Sequence, residues 1–156
     1  MSIKEAMSRF TTGVTVVTTH FDGQDWGMTC NSFNTVSMEP AMVLWSIRKE
    51  TNSYQAFTQS GSYLVNVLQS DQKDIALRFA SGPQHERFAE QASERTELKN
   101  IKLHGSVAWF ECRLAQIVSA GDHDILIGEV LGYGSRNGKG LAYASRQFGV
   151  LSTFES

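Results

Sequence analysis

The sequence predicts a mostly antiparallel β-barrel with a few short helices, and three observations carry that expectation. Short runs rich in β-branched and aromatic residues recur along the chain and are separated by glycine and aspartate turns. Some of these runs are apolar on both faces. Val43, Trp45 and Ile47 alternate with Met42 and Leu44, which suits a strand with one face inside a barrel and the other covered by helices or a second subunit. Helical periodicity is confined to stretches of one or two turns. With 156 residues, 41% hydrophobic and 19% charged, the chain has apolar material for one core and too little charge for disorder. A single domain over residues 1–156 is expected, close to the ~150 residues usual for one domain.

Each element has a local reason. Ser2-Ile3-Lys4-Glu5 has the S-x-x-E form of a capping box and starts a short helix ending near Phe10. Gly13 to Thr19 is β-branched almost throughout, Asp22-Gly23 supplies a turn, and Trp26 to Phe33 returns as the second arm of a hairpin. Met42 to Arg48 and Ser62 to Leu68 are two more strands. Between them Ser53 caps a short helix carrying Tyr54 and Phe57 at i, i+3. Asp71 starts another, whose Ile75, Ala76, Phe79 and Ala80 share one face. Ser81 to Asn100 is polar, charged and aperiodic, and its length points to a functional loop or lid. Ser106 to Val118 and Ile125 to Tyr133 are longer strands joined through Ala120 to Asp124. Leu141 to Tyr143 and Phe148 to Leu151 complete the sheet.

Composition excludes several function classes. Fourteen Lys and Arg against 16 Asp and Glu give a net charge of −2, without the positive excess of a nucleic-acid or anionic-membrane surface. Cys30 and Cys112 form no C-x-x-C, so neither a disulfide framework nor a cysteine zinc site is expected. The first residues are polar and charged, and no apolar run approaches the ~18 needed to span a membrane, so a cytoplasmic location is expected. Gly132-Tyr133-Gly134 is followed by Gly138, one position too late for G-x-G-x-x-G. P-loop, H-E-x-x-H and G-x-S-x-G patterns are absent, and His20, His85, His104 and His123 show no metal spacing. An enzyme built on this chain would rely on a bound cofactor or on backbone positioning.

Five constellations remain, each with two readings. In Gly27-Met28-Thr29-Cys30-Asn31-Ser32-Phe33 the small polar side chains of Thr29, Asn31 and Ser32 interrupt what should be a barrel strand. They form either a solvent-facing edge or a set of donors and acceptors for the rim of a flat heteroaromatic ligand. Arg48-Lys49-Glu50-Thr51-Asn52-Ser53 leads from a strand into a helix start, either as a capped helix beside a solvated basic pair or as an anion site. Gly121-Asp122-His123 is ordinary turn chemistry, or a turn that presents an imidazole to a second substrate. Arg87-Phe88 and Tyr143 with Phe148 are either surface and core residues or ligand contacts.

Taken in order, these segments resemble the flavin reductase family that supplies reduced flavin to two-component monooxygenases. The resemblance spans nearly the whole chain. It is carried by Phe10-Thr11-Thr12-Gly13-Val14-Thr15-Val16-Val17-Thr18, by Gly27 to Phe33 with Val36-Ser37 and Pro40, and by Val65-Asn66-Val67-Leu68. Arg87-Phe88, Gly121-Asp122-His123 and Ile127-Gly128-Glu129-Val130 complete it. Cys30 stands where the family usually has alanine, Glu86 where aspartate commonly precedes Arg-Phe, and Ala41 where a second proline is frequent.

The resemblance implies an FMN-binding split barrel and an NAD(P)H-dependent flavin reductase. NADH or NADPH would pass a hydride from nicotinamide C4 to N5 of FMN or FAD. It implies that flavin lies along Met28, Thr29, Cys30, Asn31 and Ser32, with Ser46, Arg48, Lys49, Thr51, Asn52, Ser53, Arg87 and Phe88 as further flavin contacts. His123, Tyr143 and Phe148 would lie on the nicotinamide side. A homodimer and a monooxygenase partner are implied with it. Two other readings stay open: a non-catalytic flavin-binding protein, and a split-barrel flavoenzyme of the pyridoxamine-phosphate oxidase type, against which the Gly121-Asp122-His123 turn argues.

Overall fold

In the computed structural model, β-branched runs pair in sequence as hairpins, and the sheet they build curls round a core of large side chains. The structure describes residues 1–154; Glu155 and Ser156, the last two positions of the expected domain, lie outside the described residues. The elements are α1 (Ile3–Ser8), β1 (Thr12–Gly13), β2 (Thr15–Phe21), β3 (Gln24–Cys30), β4 (Asn34–Met38) and β5 (Ala41–Arg48). Then come α2 (Tyr54–Gln59), β6 (Ser62–Val67), α3 (Lys73–Ala80), α4 (Gln84–Arg87), β7 (Ser93–Arg95) and β8 (Ile101–Leu103). The chain finishes with β9 (Ala108–Ala120), β10 (His123–Ser135), β11 (Leu141–Ala144) and β12 (Gln147–Val150).

Seven strands form one antiparallel sheet in the order β3-β2-β6-β9-β10-β5-β4. Its concave face packs Val17 of β2, Trp45 and Ile47 of β5, Tyr63 of β6, Cys112 of β9 and Leu126 of β10 around Phe57 of α2. The Trp45 ring meets Phe57 and Tyr63 edge-on at centroid distances of 4.9 and 5.8 Å. The edge strands β3 and β4 do not pair with each other, so the barrel is split. Just past the end of β3, the Ser32 side chain reaches the main chain of β5: its Oγ accepts from the Ser46 N–H at 2.9 Å and lies 3.3 Å from the Ser46 carbonyl.

A second core lies on the outer face of β2 and β6. Val14, Val16, Leu68, Phe79, Ile101, Leu103 and Leu141 meet there under α3, β8 and β11. Burial on both faces explains why Thr15 to Thr19 are all buried, and each large apolar side chain removed from water contributes about 1.5–3 kcal/mol.

The local expectations met mixed outcomes. Ser2 Oγ does cap α1, accepting from the Glu5 N–H at 3.1 Å, but the helix ends at Ser8. Ser53 holds the N-cap position of α2 without capping it; its buried hydroxyl donates to Met28 Sδ at 3.7 Å instead. The next helix begins at Lys73 after Gln72, not at Asp71, whose carboxylate accepts from Gln69 Nε2 at 3.0 Å. Ala76 and Phe79 of α3 are buried but Ala80 is exposed. Residues 81–100 are not an unstructured loop: they contain α4 and β7, because Gln84 and Arg87 bond to the main chain of β3. The β9–β10 turn is tighter than expected. Only Gly121 and Asp122 lie between the strands, Gly121 has a φ of +64°, and His123 is a strand residue.

Candidate functional site

Two segments far apart in sequence form one wall. The end of β3 with Asn31 and Ser32 runs beside the end of β5 and the turn into α2, joined by the Ser53–Met28 and Ser32–Ser46 contacts. Alternation along β3 splits its side chains. Met28 and Cys30 join the barrel core, while Thr29 turns outward and its hydroxyl donates to the Ala76 carbonyl of α3 at 2.6 Å. Cys30 Sγ lies 3.1 Å from Thr15 Oγ1, and burial pushes its thiol pKa up, so the sulfur stays protonated at neutral pH.

Against this wall lies a cavity of about 280 Å³. Thr29, Cys30 and Asn31 form one side; Val14, Ala76, Leu77 and Ala80 form another; Tyr143 and Phe148 close the third. The two aromatic residues are directly opposite on β11 and β12, with ring centroids 5.0 Å apart. The lining is largely apolar, with a few polar atoms at one edge, which is the chemistry of a flat heteroaromatic pocket.

A polar rim stands at the β5–β10 end of the sheet. His123 is paired across the ladder with Arg48, and Ser46 with Ile125. The Lys49 N–H donates to the Asp122 carbonyl at 3.0 Å, tying this segment to the β9–β10 turn. Lys49 Nζ donates to Ser119 Oγ at 2.6 Å and lies 3.9 Å from Asp124 Oδ1, while the Tyr54 hydroxyl donates to the other oxygen of that buried carboxylate. That bond raises the Tyr54 pKa, because ionising the phenol would set two anions together. His123 Nδ1 lies 2.8 Å from Asp122 Oδ1, and this contact holds the Asp122 carboxyl below the usual range. Arg48 has no hydrogen-bond or ion-pair partner among the described residues, and with Glu50 and Thr51 it lines a shallow recess. Asn52 is exposed beside it.

Arg87 and Phe88 sit behind β3. Arg87 makes four hydrogen bonds, all to main-chain carbonyls: Nη1 to Gly27 at 2.8 Å and Phe79 at 2.9 Å, Nε and Nη2 to Gly82 at 3.2 and 3.0 Å. The Phe88 ring packs edge-on against Phe79 at 5.0 Å.

The structure therefore brings Met28, Thr29, Cys30, Asn31 and Ser32 together with Ser46 and Ser53, sets His123 beside Arg48 and Lys49, and places Tyr143 and Phe148 in the same cavity lining as Asn31. His123 is not among the residues lining that cavity. Sequence reasoning missed the lining contributed by Val14, Ala76, Leu77 and Ala80, and the Tyr54–Asp124 contact. The small side chains of Ala76 and Ala80 on an otherwise bulky helix face were the available signal. Among the described residues no cluster of His, Cys, Asp or Glu is arranged to hold a metal ion, and no helix is long and apolar enough to cross a membrane.

Comparison with known proteins points in one direction. The sequence model of the flavin reductase like domain matches residues 7–152. The reductase component of a flavin-dependent trigonelline monooxygenase from Acinetobacter baylyi is 42% identical over 142 residues, covering 90% of this chain and 46% of that protein. The FMN reductase (NADH) SmoA of Agrobacterium fabrum is 38% identical over 151 residues, covering 97% of this chain and 86% of that protein. The solved NADH:FAD oxidoreductase SgcE6 of Streptomyces globisporus superposes with a TM-score of 0.92 at 29% identity, covering 99% of this chain and 88% of that one. The chain thus spans less than half the length of the first of these relatives.

Proposed function

Because the chain belongs to the flavin reductase family, we propose that it reduces FMN or FAD with NADH or NADPH and supplies the reduced flavin to a partner monooxygenase. The observation that carries this reading is the apolar cavity walled by Thr29, Cys30 and Asn31 and roofed by α3, on a wall that continues to an unpaired guanidinium. A flat ring with a polar rim and an anionic tail matches that donor set.

Within this reading the residues have distinct tasks. Thr29, Asn31 and Ser32, with their main-chain amides, bond the ring edge. Met28 and Cys30 back it from the core side, and Ser46 holds Ser32 in place. Arg48, with Lys49, Thr51, Asn52 and Ser53, receives the phosphate end; Arg48 is the cation available, since Lys49 is engaged by Ser119 and Asp124. His123, presented beside Arg48, orients the nicotinamide nucleotide, and Tyr143 and Phe148 bound the cavity so that stacked rings meet with water excluded. When bound, the flavin supplies the acceptor for the nicotinamide hydride.

A homodimer accompanies the proposal. Met38, Leu131 and Tyr133 are exposed beside an apolar groove lined by Met42, Phe110 and Val130, a surface that a second copy would cover. Mass in solution decides it, and a monomer at micromolar concentration argues against it. The activity is tested by following NADH and NADPH oxidation with FMN, FAD and riboflavin added in turn. Turnover with at least one pair is expected; none with any pair overturns the reading.

A further inference from the structure

β3 is an edge strand, and its Gly27 turns both main-chain groups away from β2. The Gly27 N–H donates to Gln84 Oε1 at 3.0 Å and its carbonyl accepts from Arg87 Nη1 at 2.8 Å. No side chain fits here: a Cβ on Gly27 would lie 2.7 to 2.9 Å from the Phe79 and Phe88 rings. The close approach is what lets α4 lie against the strand.

The same guanidinium reaches in two further directions. It holds the Phe79 carbonyl in the last turn of α3 and the Gly82 carbonyl in the turn after it. Arg78 reinforces the joint from α3, donating to the carbonyls of Arg87 at 3.1 Å and Glu86 at 3.2 Å. One planar fork therefore ties the strand carrying Thr29 and Asn31 to the helix carrying Ala76, Leu77 and Ala80, which are the two walls of the cavity. The Thr29–Ala76 bond is their only other polar tie among the described residues.

We propose that Arg87 is a positioning residue which fixes the spacing between the 28–31 strand segment and α3, and so sets flavin affinity without touching the flavin. This rests on the flavin reductase reading above. Lysine does not replace it, because a single ammonium presents no planar fork able to hold the carbonyls of Gly27, Phe79 and Gly82 together.

The test compares Arg87→Lys and the milder Gln84→Ala with the parent chain, using amide hydrogen exchange without flavin alongside steady-state kinetics. Arg87→Lys is expected to raise exchange in residues 27–31 and 76–80 while leaving β9 and β10 unchanged. It is expected to raise the flavin KM about tenfold or more, with the NAD(P)H KM and kcat at saturating flavin within about twofold. Gln84→Ala is expected to shift the same quantities in the same direction by less. If Arg87→Lys exchanges like the parent, or if kcat and both KM values change together, the positioning role is overturned. Absence of NAD(P)H oxidation by the parent chain would instead overturn the functional reading, and the exchange pattern would still report on the clamp.

Discussion

His123 stands directly opposite Arg48 on the β5–β10 ladder. Residues so paired have Cβ atoms about 4.5–5.5 Å apart, so an imidazole and a guanidinium serve one rim of the sheet. The Lys49 N–H to Asp122 carbonyl bond holds the two turns on either side of this pair in register. In the proposed reading the guanidinium receives the phosphate end of a flavin and the imidazole the nicotinamide nucleotide.

Replacing His123 with alanine should therefore separate the two substrates. Removing one contact of this kind is worth about 1.5 kcal/mol, or about a tenfold change in affinity. The NAD(P)H KM should rise by about that factor while flavin affinity, measured by equilibrium titration, stays within about twofold. Unchanged NADH turnover across the concentration range would remove His123 from the site.

Arg48→Ala should discriminate among flavins. Its guanidinium has no partner within the described residues, so the loss should fall on ligands that bring a phosphate. The KM for FMN should rise about tenfold, and that for riboflavin should not change. An equal loss for both would place Arg48 elsewhere in the mechanism.

Asn31 and Ser32 should part company in stability. Ser32 Oγ accepts from the Ser46 N–H, and leaving that donor unmatched costs about 1 kcal/mol, so Ser32→Ala should unfold at lower denaturant and also bind flavin more weakly. Asn31 is exposed, so Asn31→Ala should weaken flavin binding with the denaturation midpoint nearly unchanged. A flavin titration indistinguishable from the parent in both variants would contradict the assignment.

Acid should act through Asp25. The Arg95 hydrogen bond, then His20, lowers its carboxyl pKa below the ordinary 3.8, against an opposing burial effect. A carboxyl depressed in the folded state stabilises above its unfolded pKa, and that contribution is lost as pH falls through the folded value. Asp25→Asn should therefore unfold at a lower temperature than the parent at pH 6, with the gap closing as pH falls below 3.8 and through the depressed folded value. A gap that does not narrow as pH falls below 3.8 would assign the effect to packing.

Much of this was legible in the sequence, and the gaps have physical causes. β2 and β5 announce themselves through β-branched and alternating apolar residues, and the Asp22-Gly23 turn fixes β3 beside β2. β4 and β8 were missed because Asn34–Met38 is mostly exposed and polar, and Ile101–Leu103 spans only three residues. The caps at Ser53 and Asp71 failed for a different reason: a hydroxyl or carboxylate bonds whatever donor or acceptor lies near, Met28 across the fold for Ser53 and the neighbouring Gln69 for Asp71. The wall residues from Met28 to Ser53 could be named from order along the chain. Their union through Ser32 and Ser46 depends on barrel curvature, which periodicity does not encode. The main-chain bonds of Arg87 were not legible because its three acceptors come from β3, α3 and a turn, none adjacent to it in the pattern.

The Gln84 and Arg87 bonds to Gly27 also bear on how copies of this chain behave at high concentration. An edge strand with free N–H and C=O groups is a template for a strand from another molecule, and a split barrel has two such edges by construction. At Gly27 the outward-facing donor and acceptor are already taken, and α4 occupies the space an incoming strand would need. The clamp that spaces the cavity walls is thus also a guard against sheet-to-sheet growth at the middle of β3.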